Sequence, residues 1–265
     1  MIKYDFKNKL VLVTAASKGI GFAIASNFYK SGAMVAICSR NKETLDDAVK
    51  KISQEVGGRI EGYQCDLSQL DQLQQLIKDV EDTFSSSVDI FINNSGGPAP
   101  KSIIDTNMED WEEAVKGNLL SSIALTKLIV EKMISKQWGR IIYLTSTLSR
   151  EPAEGMVLSN VTRSGLAAFS KTLSREVGLH GITVNTVLTG GCKTDRFYSL
   201  VENQIKDTGE TMDEAVDRLS ATIPVGHIST PEEFANTILF LASEESSYLN
   251  GVALPLDGGA SKGYF

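Results

Sequence analysis

The sequence predicts a single doubly wound parallel sheet, a Rossmann-like three-layer α/β/α domain. Three observations predict it. Short apolar, β-branched runs alternate with longer amphipathic stretches of helical period. Four of the runs, LVLV, AMVAI, VDIFI and RIIYL, are continuously apolar, as strands covered on both faces are. No Pro- or Gly-rich linker and no internal repeat divides the 265 residues, so one domain over 1–265 is expected.

In order, residues 9–14 read as a buried strand and 20–30 as a helix that stops at Gly32. A second strand is expected at 33–38, and a helix at 42–56 ended by Gly57 and Gly58. A strand at 59–64 and a helix at 67–84 follow, then a strand at 88–93. Residues 108–136 read as one long helical stretch, weakened at Gly117 in a way that fits a bend. Strand 140–145, helix 156–177, strand 182–187, helix 232–242 and a short strand at 251–255 complete the series. The polar, helix-prone segment 195–221 interrupts it and reads as a lid over one end of the sheet.

Charge and composition exclude several functions. Lys and Arg number 26 against 33 Asp and Glu, a net charge of −7. A surface this acidic argues against nucleic acid or an anionic membrane as partner. The apolar run near the N-terminus is too short for a signal-peptide core or a membrane span. Three dispersed cysteines without a CxxC pair, and only two histidines, speak against a disulfide framework and a metal site. Reduced thiols fit a cytoplasmic chain.

The first strand runs into Thr14, Ala15, Ala16, Ser17, Lys18, Gly19, Ile20 and Gly21, which open the first helix. Glycines at that place let the backbone approach a pyrophosphate, which the positive end of the helix then holds. The NAD-type carboxylate expected about 20 residues on is missing. The second strand ends Cys38, Ser39, Arg40, Asn41. Arg40 and Lys18 suit a 2′-phosphate instead, which favours NADP(H) over NAD(H). The plain alternative for Arg40 is a solvated loop cation.

With these residues the chain resembles the short-chain dehydrogenase/reductase family over nearly its whole length. Residues 14–21 are similar to the family's TGxxxGxG turn, with Ala15 in place of the first glycine. Asp66 and Leu67 match its adenine contact, and Asn94, Ser95 and Gly96 its NNAG loop. Asn118 matches the Asn that bends the fourth helix and holds a water, and Ser146 the catalytic Ser. Gly190, Cys192 and Thr194 fall in the PGxxxT segment beside the nicotinamide, and residues 251–259 match the last strand and tail. The resemblance is nearest the 3-oxoacyl-carrier-protein reductase type. It implies an NADP(H)-dependent oxidoreductase acting on a carbonyl or alcohol of a small molecule, a 3-oxoacyl thioester among the options. It also implies a homotetramer or homodimer.

The pattern breaks at its chemical centre. Where the family's Tyr-x-x-x-Lys belongs, the sequence carries Ser159 and Arg163, four apart on one helix face. In the family the Tyr exchanges a proton with the carbonyl oxygen, and the Lys lowers its pKa and holds the nicotinamide ribose. A serine hydroxyl is no such acid, and an arginine cannot pass on a proton. Arg163 is therefore open to ribose hydroxyls, to a charge role over the cofactor, or to a substrate carboxylate. Two readings stand: an oxidoreductase whose site uses Asn118, Ser146, Ser159 and Arg163, or an NADP(H)-binding sensor or structural subunit without turnover. Tyr143 is expected in the core, Glu154, Arg150 and Tyr198 as solvated groups, Cys192 as a small apolar filler, His180 at a turn, and His227 without a visible partner.

Overall fold

Alternation along each strand sends neighbouring side chains to opposite faces. In β1 (Leu10–Val13), Val11 and Val13 join one apolar cluster, whereas Leu10 and Leu12 join another. β2 (Met34–Ser39) divides likewise, with Val35 and Ile37 on one face and Ala36 and Cys38 on the other. The sheet is thus buried on both sides, which the continuous apolar runs require. The structure is a computed structural model describing residues 4–206 and 208–263.

β3 (Arg59–Gln64), β4 (Ile90–Asn93), β5 (Gly139–Leu144), β6 (Ile182–Thr189) and β7 (Ala253–Leu256) complete a seven-stranded sheet in the order β3-β2-β1-β4-β5-β6-β7. All pairings are parallel. The helices α1 (Gly19–Lys30), α2 (Lys42–Ser53) and α9 (Pro231–Ala242) close the first face. The helices α3 (Leu70–Phe84), α5 (Ser121–Lys136) and α6 (Val157–Val177) close the second. The chain reverses its winding between β1 and β4, and that switch opens a crevice beyond the carboxyl ends of the strands.

Every expected strand is present to within two residues at each end, and the larger departures lie in the helices. α3 begins at Leu70 rather than 67, because Asp66 Oδ1 accepts from the Ser68 amide at 3.0 Å and from its hydroxyl at 2.9 Å. Such a local side-chain turn competes with the helix. α2 ends at Ser53, short of 56. Beyond it Gly58 passes so near the first face that a Cβ there would lie 1.9 Å from the Ala33 carbonyl oxygen.

The stretch 108–136 is not one helix. α4 (Met108–Val115) and α5 are joined by a π-helical turn over Lys116–Leu120, which contains Gly117 and Asn118. The predicted bend is therefore a widened turn. The segment expected as a lid folds as α7 (Asp195–Ile205) and α8 (Met212–Ala221), which pack together. Asp207, within the lid segment, lies outside the described residues.

Tyr143 is fully buried in the second cluster, and its hydroxyl shares a 2.6 Å hydrogen bond with Thr126. Burial pushes its pKa well above the ordinary phenol value. It is a core residue and no proton donor. Tyr143→Phe is expected to lower the unfolding free energy by about 1 kcal/mol in a urea titration and to leave cofactor affinity unchanged by fluorescence.

Candidate active site

The turn after β1 is built around strain and close approach. Ala15 sits at φ +47° and Gly19 at φ +56°. Ala15 thus occupies, with a side chain, a left-handed backbone that favours glycine. Its carbonyl oxygen accepts from Asn94 Nδ2 at 3.0 Å. Thr14 Oγ1 donates to the Asn94 carbonyl oxygen at 2.6 Å and accepts from the Asn94 amide at 2.9 Å. Together these bonds lock the β1 turn to the loop after β4, across the switch point. The first amides of α1, those of Gly19 and Ile20, find no backbone acceptor among the described residues. They form a helix N-terminus open to an anion.

Two lobes of one cleft meet at this turn, with volumes of about 430 and 470 Å³. Lys18, Ser95, Gly96 and Gly97 belong to the walls of both. The first lobe runs past Ser17, Ser39 and Arg40 to Asp66 and Leu67, with Asn118 on its other side. A Cβ on Gly96 would project into open space, so the groove floor is clear there. The second lobe lies against α7 and holds Ser146, Ser159, Arg163, Gly190, Cys192 and Thr194.

Arg163 dominates the second lobe. It is 6% exposed, yet no carboxylate pairs with it among the described residues. Nη1 donates to the Leu144 carbonyl oxygen at 2.9 Å and to Ser95 Oγ at 3.3 Å, and Nη2 donates to the Ser95 carbonyl oxygen at 3.2 Å. Nε is buried without a partner. Burial, and next the nearby charge of Arg196, push the guanidinium pKa down to about 10, which leaves it cationic at neutral pH. Ser95 Oγ in turn donates to Asn118 Oδ1 at 3.1 Å, and Asn118 Nδ2 donates to the Ala114 carbonyl oxygen at 3.1 Å. The π-helical turn carries Asn118 into this chain of bonds. Asn118 is thus a positioning residue behind Ser95 and Arg163.

The two serines keep hydrogens available. Ser146 Oγ accepts from the Leu148 amide at 3.2 Å, which leaves its own proton to give. Ser159, one helical turn before Arg163, lines the second lobe and is 5% exposed.

Three predicted contacts lie elsewhere. Thr14 is fully buried and its hydroxyl is spent on Asn94. Gly21 serves packing, since a Cβ there would lie 2.8 Å from both the Ala15 carbonyl oxygen and Asn94 Nδ2. Asn41 caps α2, accepting from the Thr44 amide at 2.9 Å. His227, expected without a partner, meets Glu233 Oε1 at 3.0 Å, and that contact raises its pKa. Glu154 is exposed, and Tyr198 stacks edge-on against Phe197 outside the cleft. Burial pushes the Cys192 thiol up to about 11, so it is no nucleophile at neutral pH.

The sequence reading missed Arg196, Phe197 and Leu200, which line the second lobe from α7. Thr194 caps that helix, its hydroxyl accepting from the Phe197 amide at 3.3 Å. The cap fixes the first turn against the cleft, but no residue type in the sequence marks Arg196 as lining it.

A parallel sheet of this order, with an open helix N-terminus at its switch point and a Ser and a cation at the neighbouring strand ends, defines a dinucleotide-binding enzyme fold. The family described as enoyl-(acyl carrier protein) reductase matches residues 14–261. The 3-oxoacyl-[acyl-carrier-protein] reductase of Aquifex aeolicus is 30% identical over 97% of this chain and 99% of its own. The oxidoreductase YvrD of Bacillus subtilis is 32% identical over 96% and 97%. L-Sorbose reductase of Gluconobacter frateurii, solved with NADPH and L-sorbose, superposes with a TM-score of 0.94 at 28% identity, over 99% of this chain and all of its own. The chain belongs to the short-chain dehydrogenase/reductase family.

Replacing Ala15 by the glycine its backbone favours relieves a left-handed side chain at a cost in unfolded-state entropy. Ala15→Gly is expected to raise the unfolding free energy by about 1 kcal/mol, read by thermal or urea denaturation.

Proposed function

We propose that this chain is an NADPH-dependent reductase that delivers a hydride to a carbonyl of a small molecule, with serine hydroxyls and Arg163 in place of the family's Tyr and Lys. The single observation behind this reading is the continuous cleft from Arg40, across the Gly19 turn, to Ser146, Ser159 and Arg163. The residues present fit the cofactor. Open amides at Gly19 and Ile20 suit a diphosphate, and the clear floor at Gly96 leaves room for a ribose. Ser39, Arg40 and Lys18 stand where a 2′-phosphate would lie, with no carboxylate at the end of β2 to repel it.

NADPH, when bound, supplies the hydride. Ser146 and Ser159 donate hydrogen bonds to the carbonyl oxygen and orient it. As negative charge grows on that oxygen, the buried Arg163 cation stabilises it. The proton that completes the alcohol comes from water, relayed to the oxygen through a serine hydroxyl. Proton transfer by a matched acid contributes about 10²- to 10⁴-fold, so this arrangement is slower than one with the Tyr, and still productive.

The reading includes a cytoplasmic setting, supported by three thiols that remain free. It includes a homotetramer or homodimer, supported by Leu120 and Val161, exposed by 40% and 50% at the start of α5 and on α6. No helix among the described residues is long and apolar enough to cross a membrane.

Three measurements test the reading. Cofactor fluorescence should show tighter binding of NADPH than NADH, and Arg40→Asp should weaken NADPH by about tenfold or more with little change for NADH. Binding of neither cofactor overturns it. The double variant Ser159→Tyr/Arg163→Lys should reduce carbonyl substrates faster, by about 10²-fold or more; an unchanged rate would sink the electrostatic account. Arg163 keeps its charge at every pH below its pKa of about 10, and loses it as pH rises through that value. The rate should therefore show no loss from a titrating cation across the neutral range and should fall in strong alkali.

A further inference from the structure

The second lobe is furnished with more positive charge than hydride transfer to a neutral carbonyl needs. Arg196 enters it from the first turn of α7, and its Nη2 donates to the Pro98 carbonyl oxygen at 2.9 Å. Its Nε and Nη1 make no hydrogen bond among the described residues, and no carboxylate pairs with it. Arg163 stands in the same lobe with its Nε orphaned and its side chain 6% exposed. The one acidic side chain on that wall, Asp195, points to solvent and pairs with Lys18 at 3.3 Å. Each guanidinium is depressed by burial, and Arg163 also by Arg196. Arg163 is held out of water with no carboxylate paired to it among the described residues, which is costly unless a ligand brings the anion, and Arg196, itself open to solvent, lines the same lobe with two nitrogens free. The remaining walls are apolar, from Leu148, Met156, Phe197 and Leu200, and leave room for a short carbon chain.

We propose that the substrate carries its own carboxylate: a short oxo acid whose carboxylate is seated on Arg196, with Arg163 behind it and the carbonyl oxygen at Ser146 and Ser159. This rests on the reductase reading. The chemistry of the lobe explains the choice of arginine. A planar fork holds a carboxylate in a fixed orientation, which sets the carbonyl carbon relative to the two serines. In the reduction, hydride adds to the carbonyl carbon, the C=O π pair moves to oxygen, and that oxygen takes one proton. The carboxylate is unchanged, and the product is the hydroxy acid. The other anion that could use these cations is the cofactor's diphosphate, and the two sources are separable.

The test titrates the protein–NADP⁺ complex by calorimetry with acetoacetate, with ethyl acetoacetate and with an acetoacetyl thioester, then repeats each with NADPH for turnover. Oxo acid and oxidised cofactor cannot react, so the first series reads binding alone. Acetoacetate should bind about tenfold or more tightly than the ester or the thioester. Arg196→Met should abolish that preference while its NADPH affinity, which also shows that the variant folds, stays within about twofold of the parent. Arg196→Lys should keep part of the preference. Binding of the acid without turnover would uphold the carboxylate seat and defeat the reductase reading. Ester or thioester binding as tightly as the acid would overturn the proposal, as would failure of all three to bind. Equal losses of NADPH and acetoacetate affinity in Arg196→Met would assign Arg196 to the cofactor and overturn it too.

Discussion

The cleft depends on one buried cation held by carbonyls instead of a carboxylate. Taking an ion out of water costs several kcal/mol, even after the protein relaxes around it. Arg163 recovers part of that through the Leu144 and Ser95 carbonyl oxygens and Ser95 Oγ. Those atoms belong to the last residue of β5 and to the loop after β4, so the guanidinium staples two adjacent strands just beyond their last mutual pair, Asn93 with Tyr143. A lysine, with a compact charge on a flexible stem, cannot reach three acceptors in one plane. Because no carboxylate cancels the charge, its field stays directed at the cleft, and the interaction that secures the strand ends also polarises the site.

The rest of the site is arranged around that staple. Ser95 meets Arg163 on one side and Asn118 on the other, and Asn118 is presented only because the helix after Val115 widens for one turn. On the opposite wall, Thr14 and Asn94 bind the phosphate turn to the same β4 loop. The β4 loop is therefore fixed from both sides, and the strain at Ala15 is tolerated because its carbonyl oxygen is one of the fixing points. These constraints reinforce one another in a small volume, where packed elements do not deform independently.

The fold was legible because its signal is repetitive. Each strand of β1, β2, β4 and β5 is apolar on both faces, and each is followed by a helical period, so neighbouring elements confirm one another. The ends were less legible. Whether Asp66 starts α3 or holds a turn before it depends on a bond to Ser68 two residues away, and neither residue type decides this alone. In the site, the order of motifs placed Ser146, Ser159 and Arg163 in one lobe. It did not separate residues that face the groove from those that build it. Thr14, Gly21 and Asn41 carry the right chemistry, but their atoms are spent on Asn94, on close packing and on the α2 cap. Arg196 was hidden for the opposite reason. It is a charged residue in a polar lid, indistinguishable in sequence from a solvated one until the Thr194 cap turns it inward.

Gly97 lies beneath that arginine. A Cβ on it would sit 2.7 Å from Arg196 Nη2 and 3.1 Å from the guanidinium carbon. With glycine at 97, the loop after β4 passes under Arg196 while the guanidinium keeps its bond to the Pro98 carbonyl oxygen; a side chain there would push the guanidinium aside. The two positions, distant along the chain, are coupled through space: what stands at 97 sets how low the guanidinium lies over the cleft. The height of the second cation over the lobe is thus set by a residue on the opposite loop as well as by its own helix.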